Sequence, residues 1–108
     1  MIKVKRIPKR LTASEITSSL KSLSGWHYVP GEKSISANLK MKNFMSVIRA
    51  MQDIAKLAEK ANHHPGLHLT QYRHFKISLS THEAGGVTEK DFHLARQINI
   101  KGTSVSSD

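Results

Sequence analysis

The sequence predicts an α+β domain, a four-stranded antiparallel sheet with helices packed on one face, in the order helix, hairpin, helix, hairpin, helix. Three observations carry this. Phe75, Ile77 and Leu79 alternate strictly with Lys76, Ser78 and Ser80, the period-two pattern of a half-buried strand. Ile35, Ala37 and Leu39 alternate in the same way between Ser34 and Lys40. From Lys42 to Ala61, by contrast, Phe44, Val47, Ile48, Met51, Ile54, Ala55 and Ala58 fall at spacings of three and four, which draws one apolar stripe along a long helix. Hairpins and helices of this kind solve their exposed apolar faces by layering helices on one side of an antiparallel sheet. The other sheet face then meets solvent or a partner.

The remaining elements follow in chain order. Thr12 and Glu15 form a T-x-x-E capping box that opens a short helix carrying Ile16, Leu20 and Leu23, closed by Gly25. Trp26 to Val29 reads as a strand, and Pro30-Gly31 turns the chain into the second strand. Asn62 can end the long helix; Pro65 cannot continue it and pushes His64 towards extended geometry. Leu67 to Tyr72 and Phe75 to Thr81 read as a second hairpin. Gly85-Gly86 forms a flexible loop. Thr88, with Asp91 three residues on, caps a last helix whose Phe92, Ala95 and Ile98 face the core.

The chain has 108 residues, which suits one domain over residues 11–101, with a basic segment at 1–10 and a serine-rich tail at 102–108. A core this small leaves room for burying a face against a second copy. With no cysteine, disulfides, thiolate metal sites and a cysteine nucleophile are excluded. No apolar run approaches a membrane span. The expected location is cytoplasmic, with organelle targeting left open by the basic start. The net charge of +9 gathers at Lys3, Lys5, Arg6, Lys9 and Arg10 and is otherwise scattered without interleaved aromatics. That favours a solvated basic tail over nucleic-acid binding.

Seven histidines are many for this length. His63 and His64 follow the long helix and His82 follows the fourth strand, where polar loops build sites. Imidazole titrates near neutrality and can give or take a proton with little tuning. An acid/base site is one reading; surface or capping histidines are the other. A zinc site is disfavoured: adjacent residues in extended chain point to opposite sides, which separates His63 from His64, and Pro65 breaks the helical spacing of His64 and His68. No nucleophile elbow or phosphate-binding P-loop is present.

Several separated motifs resemble the pterin-4a-carbinolamine dehydratase family. They are Glu59-Lys-Ala-Asn-His63-His64-Pro65, then Tyr72, then Thr81-His82-Glu83-Ala84-Gly85-Gly86-Val87-Thr88-Glu89-Lys90-Asp91, with Gly25-Trp26 and Phe44 upstream. The resemblance runs from about Leu11 to Ile100. Gly66 departs from it, standing where members often carry an acidic residue. Val87 replaces a common Leu, and the stretch from Pro65 to Tyr72 is one residue longer than in animal members.

The resemblance implies the same sheet-and-helix fold and dimers or tetramers. It implies conversion of 4a-hydroxytetrahydrobiopterin to quinonoid dihydrobiopterin and water in tetrahydrobiopterin recycling, with no metal or redox cofactor. By it, His63, His64 and His82 are the catalytic candidates. Asn62, Ser80, Thr81, Glu83 and Trp26 join them as pterin contacts. Glu59 and Asp91 are candidates to orient a histidine or raise its pKa, with helix capping the other role open to Asp91 and core packing the other role open to Trp26. Some animal members also bind a homeodomain transcription factor, so a dimerisation cofactor is the alternative function.

Overall fold

The computed structural model describes residues 7–101. The basic residues Lys3, Lys5 and Arg6 and the expected tail at 102–108 lie outside the described residues. The elements are α1 (Ala13–Leu20), β1 (His27–Val29), β2 (Ser34–Lys40), α2 (Phe44–Ala61), β3 (Gly66–Thr70), β4 (His74–Leu79) and α3 (Glu89–Lys101). The four strands form one antiparallel sheet in the order β1-β2-β4-β3. The two hairpins therefore meet along β2 and β4, where Ile35 pairs with Leu79, Ala37 with Ile77 and Leu39 with Phe75.

Those pairs set the core. Ile35, Ala37, Phe75, Ile77 and Leu79 are buried on one sheet face beside Ile16, Val47, Ile54, Phe92, Leu94, Ala95 and Ile98 from the helices. The strand positions between them, Asn38, Lys40 and His74, are exposed. Ser34 and Ser36 are buried along with Ile35 and Ala37, so on β2 the alternation divides core from open face only from Asn38 onward. Among the described residues, no helix is long and apolar enough to cross a membrane.

The capping box at α1 is formed in both directions: Thr12 N–H donates to Glu15 Oε1 at 2.8 Å and Glu15 N–H donates to Thr12 Oγ1 at 3.1 Å. Gly25, at φ 86°, turns the chain so that Trp26 enters the core. On α2 the buried residues are Val47, Ala50, Ile54 and Ala58. Phe44 is 48% exposed and Ala55 is exposed, against the expected stripe. At about 100° per residue, Phe44, Ile48 and Ala55 lie roughly 60–100° round the helix from Val47, on the flank of the stripe. Spacing alone joined the flank to the stripe.

The second hairpin is shorter than its hydrophobic pattern. Gln71 and Tyr72 take φ of 46° and 54°, so the chain leaves β3 after Thr70 and turns before His74. At the other end, Thr81 and Gly86 pair outside the sheet and close a loop around a 3-10 turn at His82–Ala84. Gly85, at φ 73°, ends that turn. The loop is closed by Thr81 N–H donating to Gly86 O at 2.8 Å, and the close approach of Arg10 leaves no room for a side chain at Gly86: an added Cβ would stand 2.9 Å from Arg10 Cδ.

Candidate active site

The site is built where α2 ends, β4 ends and α3 begins. Asn62 adopts the left-handed conformation, φ 50° and ψ 45°, which ends α2 and folds the chain back, so that His63 N–H donates to Ala58 O at 3.0 Å. That reversal carries the His63 side chain inward, and the residue is only 8% exposed. Pro65 then commits the chain to β3.

On the facing side, Asp91 sits in the first turn of α3 and is fully buried. Its Oδ2 accepts from Thr88 N–H at 2.9 Å, which caps the helix start. The same oxygen accepts from the Thr81 hydroxyl at 2.8 Å. Its Oδ1 lies 2.6 Å from His63 Nε2. The two roles considered for Asp91, capping and orienting a histidine, are filled by the two oxygens of one carboxylate.

The hydroxyls fix the direction of these bonds. The Thr81 proton goes to Asp91, so in the 2.7 Å contact between Thr81 Oγ1 and Thr88 Oγ1 the donor is Thr88. Thr88 Oγ1 accepts in turn from Lys90 N–H at 3.2 Å. Every donor in this chain runs towards the carboxylate, the pattern of an ionised group that only accepts. The tautomer of His63 with its proton on Nε2 matches this pattern, donating to Oδ1 and turning Nδ1 away from the carboxylate. Buried, charge-assisted and held from three elements, this arrangement fixes the tautomer and plane of one imidazole.

The other candidates stand around this core. His64 is exposed and pairs with Glu59 through Nε2 and Oε2; with side chains 60% and 75% exposed, the pair is solvent-screened and worth little. His82 begins the 3-10 turn, one residue after Thr81, and is exposed, as are Glu83 and Asn62. Ser80 donates its hydroxyl to Lys33 O at 2.7 Å. Trp26 belongs to the core: its indole N–H donates to Asn99 Oδ1 at 3.0 Å, and Asn99 donates to Ser24 O. Thus the structure joins His63, Asp91 and Thr81 directly, and brings the His82 loop to them through Thr81. It keeps Trp26 in the core-packing role.

Sequence reasoning missed one set of neighbours. His63 lines a surface depression of about 280 Å³ with Ala61, Glu89, Lys90 and His93. Lys90 and His93 join it because α3 packs against α2; no spacing in the chain signals that. Among the described residues, no three His, Asp or Glu side chains cluster closely enough to hold a metal ion.

The chain is thus an α+β sheet-and-helix domain with a buried His–Asp pair where α2 and β4 end and α3 begins. The model of the pterin 4 alpha carbinolamine dehydratase family matches residues 9–100. Proteins of Brucella ovis and Brucella suis biovar 1, provisionally named pterin-4-alpha-carbinolamine dehydratase, are each 39% identical over 90 residues, covering 83% of this chain and 92% of theirs. A crystal structure described as a transcriptional coactivator/pterin dehydratase from Brucella melitensis superposes with a TM-score of 0.78 at 38% identity, covering 85% of this chain and 97% of that one. The chain belongs to the pterin-4a-carbinolamine dehydratase family.

Proposed function

We propose that the chain dehydrates 4a-hydroxytetrahydrobiopterin to quinonoid dihydrobiopterin and water by histidine acid/base catalysis, in the recycling of tetrahydrobiopterin. The reaction breaks the C4a–O bond and the N5–H bond and forms a C4a=N5 double bond. A base takes the N5 proton, an acid protonates the leaving hydroxyl, and one water departs. His63 suits one of these transfers because Asp91 orients the ring through Nε2 and leaves Nδ1 for the substrate. His82, exposed at the start of the neighbouring turn, is assigned the other. His64 and Asn62, with Ser80, Thr81 and Glu83 through backbone or remaining polar atoms, are assigned to holding the pterin. Glu59 positions His64. The chemistry requires no metal or redox cofactor.

The observation that carries this reading is the 2.6 Å contact between His63 and the fully buried Asp91, which is tied to the strand exit beside His82 by Thr81. Stopped-flow dehydration of the carbinolamine with purified protein is the test. Acceleration over buffer is expected, unchanged by a chelator. A folded protein giving the buffer rate overturns the reading.

The oligomer is assigned to α2. Phe44 and Met45 are 48% and 52% exposed, and Ile48 and Met51 are half-buried beside them, an apolar flank suited to a second copy. The same flank supports the second reading, a dimerisation cofactor for a transcription factor; the Brucella melitensis protein is described as a transcriptional coactivator as well as a pterin dehydratase. It ranks behind the enzyme because it leaves the buried His–Asp pair without a role. A small cytoplasmic enzyme fits the reading as a whole.

A further inference from the structure

The dehydratase reading uses the end of the sheet where β4 stops at Leu79. The opposite end of the open sheet face carries a different chemistry. The register places Asn38 beside Lys76 and Lys76 beside His68; two residues along, Lys40 lies beside His74 and His74 beside Thr70. Neighbouring strands are about 4.8 Å apart and successive same-face residues about 6.6 Å apart, so the six side chains rise from a patch roughly 10 by 7 Å. They border a groove of about 520 Å³, the size of a small-molecule site. Leu39 and Phe75 reach it only through the strand backbone that forms its floor, since their side chains lie on the core face.

The patch supplies two ammonium groups, two imidazoles, a carboxamide and a hydroxyl. Among the described residues, Glu32 is the one carboxylate in an ion pair with any of the four basic side chains. It stands 3.4 Å from Lys76 Nζ, with the two side chains 53% and 36% exposed. A pair that long and that exposed holds little energy against a competing anion. The long lysine stems let both ammonium groups converge on a point charge, and the carboxamide and hydroxyl can complete its hydrogen bonds. Among the described residues, no exposed Phe, Tyr or Trp lines the groove to stack successive bases, which argues for a small ligand over a nucleic-acid strand.

We propose that this groove, formed by Asn38, Lys40, His68, Thr70, His74 and Lys76, binds a phosphate-bearing organic molecule of mononucleotide size. The phosphate sits between Lys40 and Lys76, and the organic part lies against the exposed imidazoles of His68 and His74. The β4 residues of the site, His74 and Lys76, lie five and three residues from Leu79, roughly 17 and 10 Å along the strand, and the site shares no residue with the His63–Asp91 site.

The test is a titration of the full-length, ¹⁵N-labelled protein with AMP at low ionic strength, followed by amide resonances. Saturable shifts at Lys40, His68, His74 and Lys76 are expected, with a Kd below about 1 mM. The Lys40→Gln/Lys76→Gln variant should bind at least about tenfold more weakly, and the Lys40→Arg/Lys76→Arg variant should retain binding. Carbinolamine turnover should be unchanged in both, which separates this site from the dehydratase reading. Should the double glutamine variant not fold, Lys40→Gln alone, at an exposed position, reads the same loss. The proposal is overturned by the absence of saturable shifts, by unchanged affinity in the folded glutamine variant, or by shifts confined to residues outside the groove. Tighter binding of inorganic phosphate than of AMP, or an oligonucleotide affinity that grows with length while AMP fails to saturate, also overturns it.

Discussion

Replacing Asp91 by Asn tests the site most directly, because it keeps the shape and changes the hydrogen-bond code. The introduced carbonyl oxygen can still accept from Thr88 N–H and Thr81 Oγ1, as Oδ2 of Asp91 does at 2.9 and 2.8 Å. The amide nitrogen then faces His63 Nε2 at the position where Oδ1 now lies 2.6 Å away. Two donors meet there, and the ring must either lose the contact or move its proton to Nδ1. Loss of a buried hydrogen bond to a charged group costs about 1.5–3 kcal/mol. For a domain near 100 residues, each kcal/mol lowers Tm by roughly 4–8 °C, so a fall of roughly 6–24 °C is expected. Turnover should fall roughly 10²–10⁴-fold, since the nitrogen assigned to proton transfer now carries its proton in the wrong form. Differential scanning calorimetry and stopped-flow dehydration measure the two effects. An Asp91→Asn protein with the parent Tm and the parent rate refutes both the direction of the hydrogen bonds and the positioning role. A double-mutant cycle with His63→Ala should show a coupling of about 0.5–3 kcal/mol, as for residues in one network.

Other outcomes follow from the same structure. His63→Ala and His82→Ala should each lower the dehydration rate roughly 10²–10⁴-fold while the circular dichroism of the fold is kept; normal rates in both would remove the acid/base assignment. Ile54→Ala, at a side chain with no exposure in the centre of α2, should cost about 2–5 kcal/mol in urea unfolding, against little effect for Ala55→Ser one residue on. Glu15 has its carboxyl held below the usual range by the Thr12 backbone N–H, then by the Thr12 hydroxyl and by Lys9. Because the folded value is lowered, its contribution is present above the ordinary carboxylate range and is lost as pH falls through the folded value. Glu15→Gln should therefore narrow its stability deficit to the parent as the solution is acidified; a deficit independent of pH would contradict the capping account. If α2 carries the proposed oligomer, Phe44→Glu should lower the sedimentation coefficient and leave the fold intact; an unchanged coefficient would contradict the assignment to α2.

The fold was largely legible along the chain because alternation and helical periodicity are local consequences of which face each side chain meets. Ile35, Ala37, Phe75, Ile77 and Leu79 announced the core face of the sheet, and all five are buried. The cap residues Thr12, Asn62 and Thr88 announced helix ends through chemistry confined to a few neighbours. Periodicity was less able to place Phe44 and Ala55, since the edge of an apolar stripe depends on how far the packed partner extends. The turn at Gln71 and Tyr72 was hidden too, because neither residue type favours positive φ.

For the site, the sequence by itself determined the candidates: histidines at a helix exit and a strand exit, and an acid three residues into a capped helix. Only the tertiary structure decided that His63 turns inward to Asp91, that Thr81 and Thr88 order the carboxylate, that Trp26 is spent on Asn99 and the core, and that His93 borders the same depression. It also gathered Lys40, Lys76, His68 and His74 from three strands onto one face. The reason is physical: local patterns fix which way a side chain leaves its own element, whereas a pocket is made by register and packing between elements distant in sequence, and those are set by the cooperative fit of the whole core.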